Sequence, residues 1–287
     1  MIHVPSQLMA WYLVTAGLLG LVVGSFLNVV IHRLPRMLES RWRRDCAELA
    51  GTATEAGPVF NLAYPGSHCP GCGHPIPPWA NIPVLSWLML RGHCHFCHQK
   101  ISIRYPIVEL AAGVGALLCA WGFDHPLKAI GAMVLVWMLI TLSFIDFDHK
   151  ILPDSITIPG LWLGLILNCF DTFVPLRSAL WGAIAGYLFL WAVYQAFRLM
   201  TGKEGLGYGD FKLLALLGAW LGALSLVLII LLASAIGAAT GIGLIVSGRQ
   251  KRDEPLPFGP FLAAAGIVAL AFGPRLISFW LTGLHVS

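Results

Sequence analysis

Two acidic residues lie at the ends of long apolar stretches of this chain. Asp146 follows one stretch, within Ser143-Phe-Ile-Asp-Phe-Asp-His-Lys-Ile-Leu-Pro-Asp154, and Asp210 precedes another, within Gly205-Leu-Gly-Tyr-Gly-Asp-Phe-Lys212. An ionisable side chain beside a membrane span is costly unless it is paired or functional. Two carboxyl groups that share a proton can hydrolyse an amide, because the ionised one activates water while the protonated one polarises the carbonyl. Asp146 and Asp210 are therefore candidate catalytic residues.

The same acids also have a purely structural explanation. An acid at the start of a helix often serves as its N-cap, and this role would suffice for Asp210 and for Asp154. Asp148 is expected to be solvated or to pair with Lys150. The glycines before Asp210 allow close backbone approach and an unusual turn, which would open a site to an extended substrate. Spacing alone leaves both explanations open.

Two C-x-x-C pairs form the second candidate site. Cys69-Pro-Gly-Cys72 and Cys94-His-Phe-Cys97 both lie in the one long polar segment, residues 32–106. Each pair lets two thiolates reach one ion from a tight turn, and two pairs complete a tetrahedral site that suits zinc. Four thiolates leave no open position for water, so the predicted zinc is structural. Five nearby histidines offer a substitute ligand for one cysteine: His68, His74, His93, His95 and His98.

The elements that position these residues are membrane helices. Hydrophobic residues make up 57% of the chain and charged residues 11%, and the mean hydropathy is +0.78. A span needs roughly 20 apolar residues to cross about 30 Å of hydrocarbon. We predict an all-α polytopic membrane protein with about eight transmembrane helices and a small zinc-ribbon-like module. The predicted spans are Leu8–Ile31, Ile107–Gly122, Leu127–Ile145, Ile156–Phe170, Leu176–Phe197, Phe211–Ala223, Ser225–Ser247 and Phe258–Leu281.

Basic residues fix the predicted orientation, because short loops rich in Lys and Arg stay on the cytoplasmic side. Only Lys128, Arg177 and Arg275 of the eighteen Lys and Arg residues fall on the other side of the predicted spans. The cysteine segment is thus predicted to be cytoplasmic, and both termini periplasmic. A reducing cytoplasm also weakens the alternative that the cysteines form disulfides or redox-active dithiols. The net charge of +4 is then a topological signal, and no nucleic-acid partner is expected.

Three divisions of the chain follow. Residues 1–31 are predicted to form the first transmembrane helix, residues 32–106 the cytoplasmic four-cysteine module, and residues 107–287 a seven-helix membrane domain. Glu109 and Asn28 lie within predicted spans and are expected to face the bundle interior, either as hydrogen-bonded helix contacts or in a pairing or substrate role.

Four motifs together resemble the bacterial type IV prepilin leader peptidases. Gly207-Tyr-Gly-Asp210 fits the G-x-G-D pattern of intramembrane aspartyl peptidases. The other three are Gly24-Ser-Phe-Leu-Asn-Val-Val-Ile-His-Arg-Leu-Pro35, the pair of C-x-x-C motifs, and Ile145-Asp-Phe-Asp-His-Lys-Ile-Leu-Pro-Asp154. The resemblance covers nearly the whole chain. It implies that Asp146 and Asp210 are the catalytic pair.

The resemblance also implies a substrate and a second activity. The implied substrates are prepilins or secretion pseudopilins, whose short basic leader is cut at the cytoplasmic face of the bacterial inner membrane, just after a glycine. Members with the large cysteine-containing loop also methylate the new amino terminus with S-adenosylmethionine, and residues 32–106 would be the region concerned. No nucleotide-fold glycine motif occurs in this segment, so the methyltransferase expectation comes from the resemblance alone.

Two other classes of protein remain as alternatives at this stage. In a proton- or cation-coupled transporter, Asp146 and Asp210 would relay protons or bind cations, but no inverted repeat supports this class. In a membrane anchor whose zinc module recruits a partner, the aspartates would be helix caps, and the glycine-rich segment 205–210 would lack an explanation.

Overall fold

The computed structural model describes residues 6–52, 60–203, 205–248 and 256–284. Within these ranges the fold is all-helical and has no β-strand, as predicted. A short 3-10 helix spans Pro78–Asn81. The α-helices are α1 (Ser6–Leu49), α2 (Leu85–Met89), α3 (Arg104–Gly122), α4 (Pro126–His149), α5 (Asp154–Asn168), α6 (Leu176–Thr201), α7 (Tyr208–Leu221), α8 (Ala223–Val246) and α9 (Gly259–Leu284).

Each predicted span corresponds to a separate helix. Five helices, α1, α3, α4, α6 and α8, are long and apolar enough to cross a membrane. Large apolar side chains such as Leu18 (58% exposed) and Trp121 (72%) lie on the outside, which suits a lipid surrounding. Helices α5 and α7 have only 15 and 14 residues, so each is about 21–23 Å long. A total of eight crossings therefore stays a prediction. The basic residues Arg249, Lys251 and Arg252, used for the orientation, lie outside the described residues.

The end of α1 differs from the sequence prediction, and the break between α7 and α8 is located more closely. Helix α1 does not end near Ile31 but continues through Pro35 to Leu49, so the first part of the polar segment is helical. This stretch includes Arg43, which pairs with Glu39 one turn earlier at 2.6 Å. The expected break between the sixth and seventh spans is at Gly222, whose φ of +79° is a conformation that favours glycine.

The chain divides into two compact units, residues 1–124 and 125–287. In the first unit, α1 and α3 pack so closely that glycine is required at the contact. A Cβ on Gly20 would lie 2.7 Å from the carbonyl oxygen of Ala112, and one on Gly24 would lie 2.7 Å from Cα of Glu109. Small residues four apart are a common device for such packing in membranes.

The motif at residues 24–35 ties α1 to the polar segment of the same unit. Asn28, which is buried, donates from Nδ2 to the carbonyl oxygen of Tyr105 at 3.0 Å. Arg33 is 7% exposed and donates to the carbonyl oxygens of Asn61 and Leu62 at 3.1 and 3.3 Å. These contacts give the motif a structural role in holding the loop that precedes the cysteines.

Glu109 faces the interior of the first unit, as expected. Its side chain is buried, and Oε2 accepts a hydrogen bond from the backbone N–H of Val84 at 2.8 Å. Val84 has a φ of +61°, a strained conformation for a β-branched residue. Glu109 therefore connects a predicted membrane helix to a strained turn of the polar segment.

Helix α7 is the core of the second unit. Every residue from Asp210 to Leu221 except Lys212 is buried, so this helix is enclosed on all sides. Gly182 of α6 and Gly218 of α7 meet so closely that a Cβ on either would collide with the backbone of the other. At its far end, fully buried Asn168 donates to the carbonyl oxygens of Ala219 and Trp220 at 2.9 and 3.2 Å. These contacts fix α7 and hence Asp210.

Candidate active site and metal centre

Asp146 lies in the last turn of α4 with only 5% of its surface exposed. Its Oδ2 atom accepts a buried hydrogen bond from the backbone N–H of Gly259 at 2.9 Å, at the start of α9. Helix α4 ends three residues later because Lys150 adopts the left-handed conformation, with a φ of +54°, and Pro153 follows. The turn from Lys150 to Pro153 brings the chain directly into α5.

Asp210 lies in the first turn of α7 and is 6% exposed. The N-cap of α7 is Gly207, so the alternative that Asp210 is the N-cap is wrong. Its Oδ2 atom does accept a hydrogen bond from the N–H of Gly207 at 3.2 Å, which is the contribution of an acid at the third helical position. Within the described part of the chain, Oδ2 is the only oxygen of each aspartate side chain that accepts a hydrogen bond.

Leu152 connects the surroundings of the two acids. A Cβ on Gly209 would lie 2.7 Å from Cβ of Leu152, and a Cβ on Gly259 would lie 3.3 Å from Cδ2 of the same leucine. The expected close approach before Asp210 is therefore present at Gly209. Gly259 binds Asp146 and Gly209 directly precedes Asp210, so this one leucine side chain lies beside the positions of both acids. Acids from two distant segments thus converge at one end of the second unit.

The other acids near this site have different roles. Asp154 is the first residue of α5 rather than its N-cap, which is Pro153, so the capping prediction is wrong. Its carboxylate is paired with Lys212 of α7, whose Nζ lies 2.6 Å from Oδ1. Asp148 is exposed, in contrast to buried Asp146 two residues earlier. Burial thus distinguishes Asp146 and Asp210 from their acidic neighbours.

Sequence reasoning missed Gly259 and Leu152. Gly259 contributes a backbone N–H, a group that every residue except proline carries, so its residue type alone does not reveal the contact. A weak signal was available in Phe258-Gly259-Pro260, which opens an apolar stretch on the same predicted side as both acids. Leu152 resembled any apolar residue in a turn, and only the fold shows what it touches.

The four predicted metal ligands come together. The sulfur atoms of Cys69, Cys72, Cys94 and Cys97 all lie within 4.8 Å of one another. Sγ of Cys69 and Sγ of Cys97 are 3.7 Å apart, and tetrahedral thiolates at a Zn–S distance of about 2.3 Å would be separated by about 3.8 Å. All four thiols are free of disulfide bonds. The cluster therefore suits a thiophilic metal ion.

The two C-x-x-C turns have the same backbone design. Cys69 donates its N–H to the carbonyl oxygen of His74 at 2.9 Å, and Cys94 donates to that of Gln99 at 2.8 Å. The residue after the second cysteine has a positive φ in each turn, +71° at Gly73 and +56° at His98. Because the two turns have the same conformation, both pairs of sulfur atoms point to one position, as in a zinc-ribbon-like module.

Backbone hydrogen bonds favour the thiolate form of Cys69, whereas desolvation and the three neighbouring cysteines raise the pKa of the Cys97 thiol to about 11. The N–H groups of Cys72 and Gly71 lower the pKa of the Cys69 thiol to about 6. Two of the neighbouring histidines use their Nδ1 atoms in other hydrogen bonds. Nδ1 of His68 pairs with the carbonyl oxygen of Gly66, and Nδ1 of His93 pairs with that of Arg91. Among the described residues, the cluster that could hold a metal consists of cysteines alone.

Two family models match the chain. The model described as the bacterial peptidase A24 N-terminal domain matches residues 18–123. The model of the type IV leader peptidase family matches residues 133–242. The first match contains all four cysteines of the cluster, and the second contains both Asp146 and Asp210. The matches lie on either side of the division between the two compact units.

Curated proteins match over nearly their full length. A prepilin leader peptidase/N-methyltransferase of Stutzerimonas stutzeri is 51% identical over 271 residues, which cover 94% of this chain and 94% of the relative. Proteins of the same name from Pseudomonas putida and Pseudomonas aeruginosa are 49% and 48% identical, covering 93% and 97% of this chain and 93% and 96% of those proteins. No solved structure matches the chain.

Proposed function

Because this chain belongs to the prepilin leader peptidase/N-methyltransferase family, we propose that Asp146 and Asp210 are the catalytic dyad of its peptidase. The family assignment makes the protein a peptidase and methyltransferase of the membrane, and it does not support the transporter alternative. The observation that carries the proposed site is the convergence of two buried acids from α4 and α7 at one end of the second unit.

In the proposed reaction the dyad carries one proton between its two carboxyl groups. The ionised carboxylate takes a proton from water as the water oxygen attacks the carbonyl carbon of the scissile bond. The protonated carboxyl group stabilises the oxyanion, and a proton then passes to the departing amine. The Oδ2 atoms are held by the N–H groups of Gly259 and Gly207, so the Oδ1 atoms would face the substrate.

The substrate is proposed to be a prepilin or pseudopilin. Its apolar helix would lie in lipid, while its basic leader stays in the cytoplasm among the phosphate headgroups. This arrangement brings the bond after the leader's glycine to the depth at which a helix end such as that of α4 lies. We accordingly propose the bacterial inner membrane as the location, with the four-cysteine segment cytoplasmic and both termini periplasmic, on the distribution of Lys and Arg.

The four-cysteine cluster is proposed to bind one structural zinc ion. Cys69, Cys72, Cys94 and Cys97 would hold it, and four thiolates complete the tetrahedral coordination. The ion would stabilise the two turns by linking them, since residues 60–103, which contain the cysteines, form only isolated bridges and short helices. The methyl donor is proposed to be S-adenosylmethionine, which supplies a methyl group to an amine. Residues 32–106 are proposed to carry that activity, as the one long polar segment of the chain.

Leader release by the purified protein tests the peptidase assignment. The chain, in detergent or lipid nanodiscs, is incubated with a prepilin that retains its leader and its apolar helix. Mass spectrometry should find one cut, immediately after the glycine that precedes the apolar helix. A methylated new amino terminus should appear only when S-adenosylmethionine is added. An intact substrate after prolonged incubation with metal-replete protein would contradict the assignment.

A further inference from the structure

Gly259 is the one described residue that donates a hydrogen bond to the Asp146 side chain. Its backbone N–H donates to Oδ2 of Asp146 at 2.9 Å, and this hydrogen bond is buried. It joins residues 113 positions apart in the chain. The corresponding bond of Asp210 is local, because its donor Gly207 is three residues away and belongs to the same helix end.

The Asp146 side chain is therefore held by a second helix, α9, whereas the Asp210 side chain is held by the start of its own helix. Asp146 is near the carboxyl end of α4, where backbone N–H groups are already used within the helix. The start of a helix has unused N–H groups and partial positive charge, and α9 begins at Gly259. A second element has to bring those donors to Asp146.

Glycine is also required at this position by the space available. A Cβ added to Gly259 would lie 2.6 Å from Oδ2 and 3.1 Å from Cγ of Asp146, and 3.3 Å from Cδ2 of Leu152. A contact as short as that with Oδ2 cannot persist, so the carboxyl group would have to move. Asp146 is only 5% exposed, and the neighbouring Leu152 occupies the space on this side.

We propose that Gly259 is a positioning residue of the peptidase, through which the start of α9 sets the orientation of the Asp146 carboxyl group. This inference rests on the proposed dyad and extends it to a third helix. The N–H holds Oδ2 in one place, and the missing side chain lets the carboxyl group approach. With Oδ2 held by Gly259, Oδ1 is the oxygen atom of Asp146 that is left for the reaction.

The first test compares two substitutions in the same helix. Gly259→Ala should lower kcat for leader cleavage by roughly 10- to 100-fold, because a displacement of about 1 Å is costly for a catalytic group, while KM changes little. Gly273→Ala is the matched control, since a Cβ there meets no atom within 4 Å, and its kcat should stay within about twofold of wild type. Methylation of a substrate that already lacks its leader should be unchanged in both variants.

The second test does not depend on how the Gly259 variant folds. The chain contains two Phe-Gly pairs, Phe258-Gly259 and Phe272-Gly273. Protein labelled with carbonyl-13C phenylalanine and 15N glycine should therefore give two correlated amide signals. Asp146→Asn should shift one signal, that of Gly259, and leave that of Gly273 in place. Asp148→Asn should shift neither.

The outcomes separate this inference from the proposed function. If the wild-type protein does not cleave a prepilin, the peptidase assignment fails, whatever the amide signals do. If the wild-type protein cleaves but Gly259→Ala cleaves with wild-type kcat, the positioning role is refuted and the dyad stands. If Asp146→Asn shifts neither amide signal, the hydrogen bond between Gly259 and Asp146 is refuted.

Discussion

The ammonium group of Lys212 lies 2.6 Å from Oδ1 and 2.8 Å from Oδ2 of Asp154. This ion pair joins the fifth residue of α7 to the first residue of α5. Lys212 is two residues beyond Asp210, and Asp154 is two residues beyond Leu152, which touches Gly209. The pair therefore ties together the two segments that carry the proposed dyad, from outside the site.

We predict that exchanging the charges of Lys212 and Asp154 restores the leader-cleavage rate that is lost when only one of the two charges is reversed. Lys212→Asp or Asp154→Lys should slow leader cleavage about 2- to 5-fold, which matches a partly exposed ion pair worth roughly 1 kcal/mol at most. The double variant should recover most of the lost rate. Cleavage assays at low and high salt measure this, because screening should shrink the single-variant effect. Additive losses in the double variant would show that the ion pair has no positioning role.

Zinc content is the second prediction. The purified protein should contain about one zinc ion per chain, and Cys72→Ser should lose it, because three remaining thiolates no longer close the coordination shell. Elemental analysis measures this directly. We expect methylation to fall more than leader cleavage, since the cysteines lie in the other unit from Asp146 and Asp210.

Cys46→Ser is the matched control for the zinc prediction. Cys46 is exposed and free, and it lies on α1 outside the cluster. This variant should keep its metal and both activities. Intact protein without any bound metal would remove the claim that the cysteines form a zinc site.

Glu109 provides a third prediction, on local structure. Glu109→Ala removes the acceptor for the N–H of Val84, and leaving this partly buried donor unsatisfied costs about 1 kcal/mol. Hydrogen exchange should therefore speed up at residues 82–90, around the strained turn at Val84. Glu39→Ala removes an exposed carboxylate from the same unit and should leave exchange there unchanged. Equal exchange in both variants would mean that Glu109 does not hold this turn.

Close packing of α6 against α7 gives a fourth prediction. Gly182→Ala places a methyl group against the backbone of Gly218, so the helices must separate, at a cost of roughly 1–3 kcal/mol. Thermal unfolding in detergent should shift to lower temperature, and leader cleavage should fall because α7 carries Asp210. Gly243→Ala in α8, where a Cβ meets no atom within 4 Å, should do neither. An unchanged melting temperature for Gly182→Ala would contradict the packing described.

The sequence predicted the helices and the clustering of the four cysteines, for clear physical reasons. Apolar length reveals a membrane helix, and C-x-x-C spacing defines how thiolates meet, so neither needs the rest of the fold. The end of α1 was missed because the stretch after Ile31 is polar and contains Pro35, yet hydrogen bonding carries the helix to Leu49. Polarity marks where lipid ends, not where a helix ends.

The surroundings of the two acids were less predictable. Asp146 and Asp210 stand out in the sequence because charge beside an apolar stretch is unusual. Their partners do not, since Gly259 acts through its backbone and Leu152 through contact. Asp154 looked like an N-cap because a proline precedes it, but its partner Lys212 is 58 residues away in sequence. Such pairings depend on how helices pack.

The central claim is that Asp146 and Asp210 act together in hydrolysis, and single Asp→Asn variants test it most directly. The amide keeps the shape of the side chain but cannot ionise or act as a general acid or base. Leader release by purified Asp146→Asn and by purified Asp210→Asn should each fall by about 10³-fold or more, while Asp148→Asn stays near the wild-type rate and all three variants still methylate a leaderless substrate. Wild-type cleavage by either the Asp146 or the Asp210 variant would contradict the account.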